Sequence, residues 1–281
     1  MKSFSLRMPS AGLRRYDAPA VMGILNVTAD SFYSGSRAMT DADSSARAAM
    51  RAAQGADFID VGAYSTRPGA ADVPEAEEMA RLRRALPLVR AAAPGVPVSV
   101  DTFRAAVARV TVEELGADII NDVSGGLLDP AMHATVAALH VPYILGHMRG
   151  TPADMQSHTD YRDVTADVIA ELGALFRDLS LRGAADVIID PCFGFSKTLE
   201  QNYTLMRDLP LLEDVFHSPV LAGVSRKSMI TRLLGITADD AMNGTTALNT
   251  LALDRGAAIL RVHDVAAARQ AVTVYKAVAS V

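Results

Sequence analysis

Eight short apolar runs, each rich in Val or Ile and flanked by Gly, Pro or polar residues, recur along the 281-residue chain. Each run is too short for an independent helix, and none shows the strict apolar–polar alternation of a half-exposed strand. Strands covered on both faces have this pattern, so we predict a buried parallel sheet. The runs are AVMGILNV, DFIDVG, VPVSVD, ADIINDV, VPYILGHM, DVIIDP, PVLAGVS and AILRVHDV.

Amphipathic helical patterns separate these runs. One of them begins at Pro74 with acidic residues in its first turn, and Pro87 is expected to break or kink it. Strand and helix alternate eight times, which fits an α/β (β/α)₈ TIM barrel in a single domain spanning 1–281. An open doubly wound sheet is the alternative. Residues 1–17 are expected to be a short N-terminal extension packed on the barrel floor.

Composition narrows the classes of partner. The net charge of −5 and the pI of about 5.7 argue against a broad nucleic-acid-binding surface. Cys192 is the only cysteine, which excludes an internal disulfide and a cysteine-based zinc cluster. We find no convincing signal peptide and no apolar run of about 18 residues. We therefore expect a cytoplasmic protein that acts on small molecules, without a membrane span.

Polar residues end every predicted strand. In a (β/α)₈ barrel the carboxyl ends of all strands meet at one mouth, where active sites are built. We therefore expect a ring of carboxylates, amides and cations at this mouth. Its members are Asn26, Asp60, Asp101, Asn121, Asp122, His147, Asp190, Ser225–Ser228, Arg261 and His263.

Several of these polar residues have a plainer interpretation as local structure. The alternatives are capping for Asp60, Asp122 and Asp264, a solvated helical turn for Arg226 and Lys227, and simple packing for His147 and His263. The ring is favoured because a barrel brings all of these positions together.

Two loops predicted after the first and second strands, NVTADSFYSGSR and GAYSTRPGAADV, are rich in hydroxyls, Gly and Arg. Such loops suit an anionic group that must be enclosed. FGFSKT, at 193–198, also looks like a glycine-containing anion loop, although it lacks the P-loop spacing. G-x-G-x-x-G and H-E-x-x-H patterns are absent, and no Ser-His-Asp arrangement can be assigned.

Eight motifs between Gly23 and Val265 occur in a characteristic order: GILNVTADSF, STRPGA, SVDTFR, IINDVSGG, HMRGTP, DPCFGFSKT, GVSRKS and LRVHDV. This set closely resembles the dihydropteroate synthase family. The resemblance implies a (β/α)₈ barrel that joins 6-hydroxymethyl-7,8-dihydropterin diphosphate to 4-aminobenzoate in folate biosynthesis. The products would be 7,8-dihydropteroate and pyrophosphate. It also implies Mg²⁺ as the cofactor and a homodimer.

The resemblance implies a role for each matching position. The pterin would be bound by Asp101, Asn121, Val123, Met148, Asp190 and Lys227. Pyrophosphate would be bound by Asn26, Thr66, Arg67, Arg261 and His263, and Asn26 would also be a metal ligand. The 4-aminobenzoate would be bound by Thr66, Pro68, Phe195 and Ser228. Lys227, Arg261 and His263 would be the catalytic residues, and the dissociative route of the family needs no protein nucleophile.

The chain departs from the common family pattern at a few positions. Ala29 stands where proline is usual, Cys192 and Ser196 replace glycines, and GAYSTRPG replaces GGESTRPG. Side chains at Cys192 and Ser196 are expected to affect the pocket shape at the sixth strand. Two alternative functions are a pterin-binding methyltransferase-type barrel and a pterin-binding paralogue without turnover.

Overall fold

The computed structural model of the chain describes residues 3–27, 41–64, 72–184 and 186–280. The strands are β1 Phe4–Met8, β2 Gly12–Tyr16, β3 Ala20–Asn26, β4 Phe58–Gly62, β5 Val98–Asp101, β6 Ile119–Asp122, β7 Tyr143–Gly146, β8 Val187–Asp190, β9 Leu221–Ala222 and β10 Ile259–Val262. The helices are α1 Asp41–Ala53, α2 Glu75–Ala92, α3 Ala105–Glu113, α4 Met132–Leu139, α5 Val164–Leu181, α6 Leu199–Arg207, α7 Pro210–Phe216, α8 Ser228–Leu234, α9 Met242–Asp254 and α10 Val265–Ala279.

Strands β3 to β10 form one parallel sheet, in the order β8-β7-β6-β5-β4-β3-β10-β9. A parallel bridge between Ile189 and Val220 joins its two ends, so the sheet closes into a barrel. The predicted (β/α)₈ barrel is therefore confirmed, and the open doubly wound sheet is excluded. Two helices, rather than one, follow each of β8 and β9.

The barrel floor is covered by the antiparallel hairpin of β1 and β2. Leu6, Met8 and Tyr16 of the hairpin pack in one apolar cluster with Phe58, Ile119 and six further buried barrel residues: Ala20, Met22, Ile144, Ile188, Leu221 and Ile259. The hairpin is also tied to the strand starts by polar contacts, since the N–H of Arg7 bonds Asp186 and that of Ser10 bonds Asp118. This end of the barrel is filled by side chains.

A second inward-facing layer lies two residues further along the strands. Side chains in a strand alternate between faces, so Asp60 points to the same side as Phe58, and Asn121 to the same side as Ile119. The same step leads from the floor residues Ile188 and Ile259 to Asp190 and Arg261. The intervening residues pack outward against the helices, including Ile59, Ile120, Ile189 and Leu260. The alternation therefore sets a polar layer above an apolar floor.

The outer helices cover the outward faces of the strands. Helix α2 continues through Pro87, so the break predicted there does not occur. Leu82, Leu86 and Val89 of this helix are fully buried, and their packing offsets the hydrogen bond that proline cannot donate. Within the described residues, no helix has the length and apolar character that a membrane crossing needs.

Candidate active site

Arg261 links two carboxylates at the barrel mouth. Its Nε donates to Asp60 Oδ2 at 2.7 Å, and its Nη2 donates to Asp101 Oδ2 at 2.8 Å. Asp60 Oδ2 also accepts a 3.1 Å hydrogen bond from Asn121 Nδ2. Asp60 is fully buried and Asn121 nearly so. Groups from β4, β5, β6 and β10 therefore meet in one hydrogen-bonded cluster.

Burial shifts the proton affinities within this cluster. Burial raises the pKa of Asp101, Arg261 opposes this shift, and the charge of Asp60 adds to it. Burial alone lowers the pKa of Arg261, but Asp60 and Asp101 together raise it above its ordinary value. One guanidinium facing two carboxylates leaves an excess of acceptors. The cluster therefore suits a ligand that presents N–H donors.

Asp190, the last residue of β8, and Lys227, which follows β9, form a second pair of opposite charges. Burial raises the pKa of Asp190 and lowers that of Lys227, and each charge partly offsets the shift of the other. Lys227 Nζ donates to the carbonyl of Phe193 at 2.6 Å and lies 4.6 Å from the ring centroid of Phe195. Lys227 is therefore held inside the site, and its interpretation as part of a solvated turn is wrong.

An apolar wall lies beside these charges. Val123, Met148, Met155 and Cys192 are buried in one cluster, and the partly buried Phe195 packs against it. The Cys192 N–H donates to Asp190 Oδ1 at 2.7 Å, so the wall adjoins the second charged pair. A flat ring with a polar edge would meet both surfaces at once.

Asn26, His263 and Ser228 border the mouth. A Cβ added at Gly62 would lie 3.3 Å from Asn26 Oδ1 and 3.6 Å from Asp101 Cβ, so Asn26 and Asp101 flank Gly62. His263 lies on the β10 side, and the exposed Ser228 begins α8. Asn26 is thus adjacent to the cluster, and within the described residues no hydrogen bond joins Asn26, His263 or Ser228 to it.

The ring of His263 is fixed by Ser225. Ser225 Oγ accepts the main-chain N–H of His263 at 3.1 Å and lies 3.0 Å from Nδ1 of its ring. The hydroxyl can donate its proton to Nδ1, which leaves Nε2–H as a donor. Burial lowers the pKa of His263 to about 3, and the charge of Arg261 adds to this effect. The ring is therefore neutral at pH 7 in the free protein.

The interpretation as local structure is correct for Asp122 but not for Asp264. Asp122 faces out of the barrel and accepts bonds from the N–H and hydroxyl of Ser124, the N–H of Gly126 and the hydroxyl of Tyr143. It therefore structures its own loop. The Asp264 carboxylate instead forms a two-pronged ion pair with Arg226, at 2.9 Å for each contact.

The segment at 193–198 is not an anion loop. Lys197 is 3% exposed, and its Nζ contacts Nδ1 of His147 at 3.1 Å and the carbonyl of Phe195 at 3.0 Å. His147 Nε2 in turn lies 2.9 Å from Glu171 Oε2. The Lys197 cation is thus bound by groups of the protein itself. His147 is a packed histidine, which is its interpretation as local structure.

The comparisons with known proteins agree with this geometry. A family model described as pterin binding enzyme matches residues 22–263. Dihydropteroate synthase from Synechocystis is 41% identical over 259 residues, which cover 89% of this chain and 86% of that protein. The chain belongs to the dihydropteroate synthase family.

A solved dihydropteroate synthase has the same fold. The structure from Xanthomonas albilineans with 4-aminobenzoic acid has a TM-score of 0.88 and 41% identity, and covers 99% of this chain and 100% of that one. The mitochondrial folate synthesis bifunctional protein of Arabidopsis thaliana is 42% identical over 87% of this chain. The chain spans about half the length of this relative, 47%.

Two departures from the dihydropteroate synthase pattern have a backbone consequence. Cys192 has φ 50° and Ser196 has φ 46°, in the left-handed region that favours glycine. Ser196 compensates locally, because its Oγ accepts a 3.1 Å hydrogen bond from the N–H of Arg149 and lies 3.3 Å from the hydroxyl of Tyr161. The Cys192 side chain extends the apolar wall. Of the two side chains expected to affect the pocket shape, the Cys192 side chain is thus the one that adds to the apolar wall.

Some predicted dihydropteroate synthase positions lie outside the described residues: Thr66, Arg67, Pro68 and Ala29. Two features of the site were not predicted from the sequence. Asp60 was placed in the ring, with capping as the alternative, but no contact was assigned to it, although it lies two residues after Phe58 as Asn121 lies two residues after Ile119. Lys197 with His147 and Glu171 carries no spacing signal, because three separate segments supply it.

Proposed function

We propose that the chain condenses 6-hydroxymethyl-7,8-dihydropterin diphosphate with 4-aminobenzoate and releases pyrophosphate and 7,8-dihydropteroate. The observation that carries this proposal is a polar layer beside an apolar wall, in which Asn121 and Asp190 are buried and Asp101, Lys227 and Arg261 are partly buried. The 4-aminobenzoic acid in the similar structure from Xanthomonas albilineans supports the second substrate.

The pterin edge fits this layer chemically. In order around the ring, a 7,8-dihydropterin presents the O4 acceptor, the N3–H and 2-amino donors, the N1 acceptor and the N8–H donor. Lys227 can only donate, so it suits O4, and the nearby Asp190 carboxylate suits the adjacent N3–H and amino donors. Asn121 then faces both N1 and N8–H, and Asp101, its partner across β5 and β6, borders the same edge of the pterin. Val123 and Met148 would cover a ring face.

The reaction needs charge stabilisation rather than a protein nucleophile. The methylene C–O bond breaks with its electron pair on pyrophosphate, and the aryl amine then bonds the methylene and loses a proton. Arg261 and the Nε2–H of His263 would stabilise the charge that develops on the departing oxygen. Thr66 and Arg67 stay predicted pyrophosphate contacts.

We also propose Mg²⁺ as the cofactor, and the residues at the barrel mouth fit this ion. Within the described residues, no group of three or more His, Cys, Asp or Glu side chains could hold a metal ion. Mg²⁺ is commonly held by one or two protein oxygens together with substrate phosphates and water. Asn26 Oδ1 would supply such an oxygen, and the ion would neutralise diphosphate charge.

The 4-aminobenzoate site lies toward the rim in this proposal. The Phe195 ring, already beside Lys227, would pack against the benzoate ring, and the exposed Ser228 hydroxyl would bond its carboxylate. Thr66 and Pro68 stay predicted contacts. The amine would then approach the pterin methylene from the open side of the barrel.

A homodimer and a cytoplasmic location are also proposals. Leu233 and Leu234 of α8 and Met242 and Leu251 of α9 are about half exposed, which supports an apolar contact with a second copy. Sedimentation of the chain and of Leu234→Glu tests this; a monomeric wild-type chain would contradict it. The buried free thiol of Cys192 supports a reducing compartment.

A turnover assay tests the proposed activity. The chain is incubated with the diphosphorylated pterin, 4-aminobenzoate and Mg²⁺, and dihydropteroate and pyrophosphate are both quantified. Equal amounts of the two products are expected. Pterin binding without pyrophosphate release would instead support the paralogue without turnover, and methyl transfer from a pterin would support the methyltransferase-type barrel.

A further inference from the structure

Asp60 has no role in the proposed chemistry, yet it is the most enclosed carboxylate of the cluster. It is 0% exposed and lies behind Asn121 and Arg261. Its Oδ2 accepts from Arg261 Nε at 2.7 Å and from Asn121 Nδ2 at 3.1 Å, whereas Oδ1 is buried without a partner among the described residues. A buried carboxylate in this arrangement fixes the donors that face it.

The contact between Asp60 and Asn121 determines which way the carboxamide points. An ionised carboxylate can only accept hydrogen bonds, so the atom of Asn121 that faces it must be the amino nitrogen. The reversed amide would set two oxygens against each other in a buried place, which is costly. Arg261 holds the Asp60 charge in place from the other side. Asn121 therefore keeps Oδ1 and its second N–H for a ligand.

This fixed carboxamide matches a pterin that carries a hydrogen on N8. N1 and N8 flank a single ring carbon, so an amide can bond both, donating to N1 and accepting from N8. In a 7,8-dihydropterin N8 carries a hydrogen, and both bonds form. In a fully oxidised pterin N8 is an acceptor, and Asn121 Oδ1 would face a lone pair. Reversing the amide to suit N8 would break the Asp60 contact.

Resting on the proposed function, we propose that Asp60 is a positioning residue that makes the site selective for reduced pterins by fixing the orientation of the Asn121 carboxamide. The Asp60 side chain need not touch the substrate for this effect. Asp60 acts through Asn121, whose amide nitrogen and oxygen could otherwise exchange positions.

Calorimetry with two ligands tests the proposal. The full chain is titrated with 6-hydroxymethyl-7,8-dihydropterin and with its fully oxidised form, and the ratio of the two affinities is the readout. The wild-type chain should favour the reduced form at least about tenfold, since one hydrogen bond is replaced by a repulsion. Asp60→Asn should lower this ratio to about threefold or less, because the new amide accepts either orientation of Asn121.

A matched control separates positioning from general damage. Asp122 is equally buried but faces out of the barrel. Asp122→Asn should lower the melting temperature while keeping the wild-type affinity ratio. Loss of selectivity in this control would overturn the proposal, because it would show that any buried carboxylate has the same effect.

A double-mutant cycle tests the route through Asn121. In an Asn121→Ala background the ratio should already be low, and adding Asp60→Asn should leave it unchanged. A further drop would mean that Asp60 acts independently of Asn121. A wild-type ratio kept in Asp60→Asn alone would also overturn the proposal, while turnover by the wild-type chain would leave the proposed function standing.

A measurement on the wild-type chain covers the case in which Asp60→Asn does not fold. The side-chain amide signal of Asn121 is identified in ¹⁵N spectra by its loss in Asn121→Ala. One of its two hydrogens should exchange slowly with solvent in the free protein, because Asp60 holds it. Fast exchange of both hydrogens would overturn the proposal.

Discussion

Arg226 and Asp264 are held together by two parallel contacts of 2.9 Å, from Nε and Nη2 of the guanidinium to the two carboxylate oxygens. Both side chains are about one-fifth exposed, and the pair joins the turn after β9 to the start of α10. Arg226 also donates to the carbonyl of Ala238 at 2.9 Å. This cation therefore secures the mouth of the barrel, while its neighbour Lys227 faces the site.

Arg226→Ala should consequently lower the free energy of unfolding by about 1–3 kcal/mol, because the partly buried Asp264 loses its partner. Chemical denaturation measures this loss. Arg84→Ala is the matched control, since Arg84 pairs with Asp41 but is 64% exposed. Its cost should stay within about 0.5 kcal/mol. Equal losses in the two variants would contradict the structural role of Arg226.

Lys227→Ala should reduce kcat/KM at least about 100-fold, because it removes the charge that the proposed function places against the pterin O4. Steady-state kinetics and the melting temperature of the variant check this together. Lys276→Ala removes an exposed lysine near the end of α10 and should retain full activity. An active Lys227→Ala enzyme would show that Lys227 only organises its loop through Phe193.

Ser196 offers a test of backbone strain. With φ at 46°, any non-glycine residue there is strained, but Ser196 recovers hydrogen bonds to the Arg149 N–H and Tyr161. Ser196→Gly and Ser196→Ala lose the same hydroxyl, yet the glycine variant should be more stable by about 1 kcal/mol. Thermal unfolding compares them. An alanine variant as stable as the glycine variant would mean that the loop relaxes without strain.

His147 should make the protein sensitive to acid. Burial lowers its pKa to about 4, the charge of Lys197 adds to this shift, and Glu171 opposes it. Because the unfolded chain binds a proton near pH 6.5 and the folded chain does not, stability is complete above that pH and falls from there toward pH 4. Denaturation at several pH values should show this slope, and His147→Gln should reduce it. Identical slopes in the two proteins would contradict this account.

The strands could be predicted from the sequence, but the side of the sheet that each polar residue faces could not. The apolar runs predicted the barrel, because strands buried on both faces have little freedom in composition. Asn121 and Asp122 are neighbours at one strand end, and only the register shows that the first faces inward and the second outward. A one-residue shift would exchange their roles.

The cluster around Lys197 could not be predicted for a different reason. Its partners are His147, which follows β7, and Glu171 in α5, and no local pattern relates them. The same holds for Arg226, whose motif suggests a solvated turn until Asp264 is seen beside it. Long-range pairs of this kind depend on how separate elements pack, and the periodicity of the sequence carries no information about that packing.

The hairpin of β1 and β2 closes one end of the barrel and leaves the other end as the opening. Leu6, Met8 and Tyr16 fill the end opposite the site, so molecules must enter and leave through the same mouth. If the pterin binds at Asp190 and 4-aminobenzoate nearer Ser228, as we propose, the pterin must enter first. The order of entry would then be set by the hairpin, at the end of the barrel opposite both proposed sites.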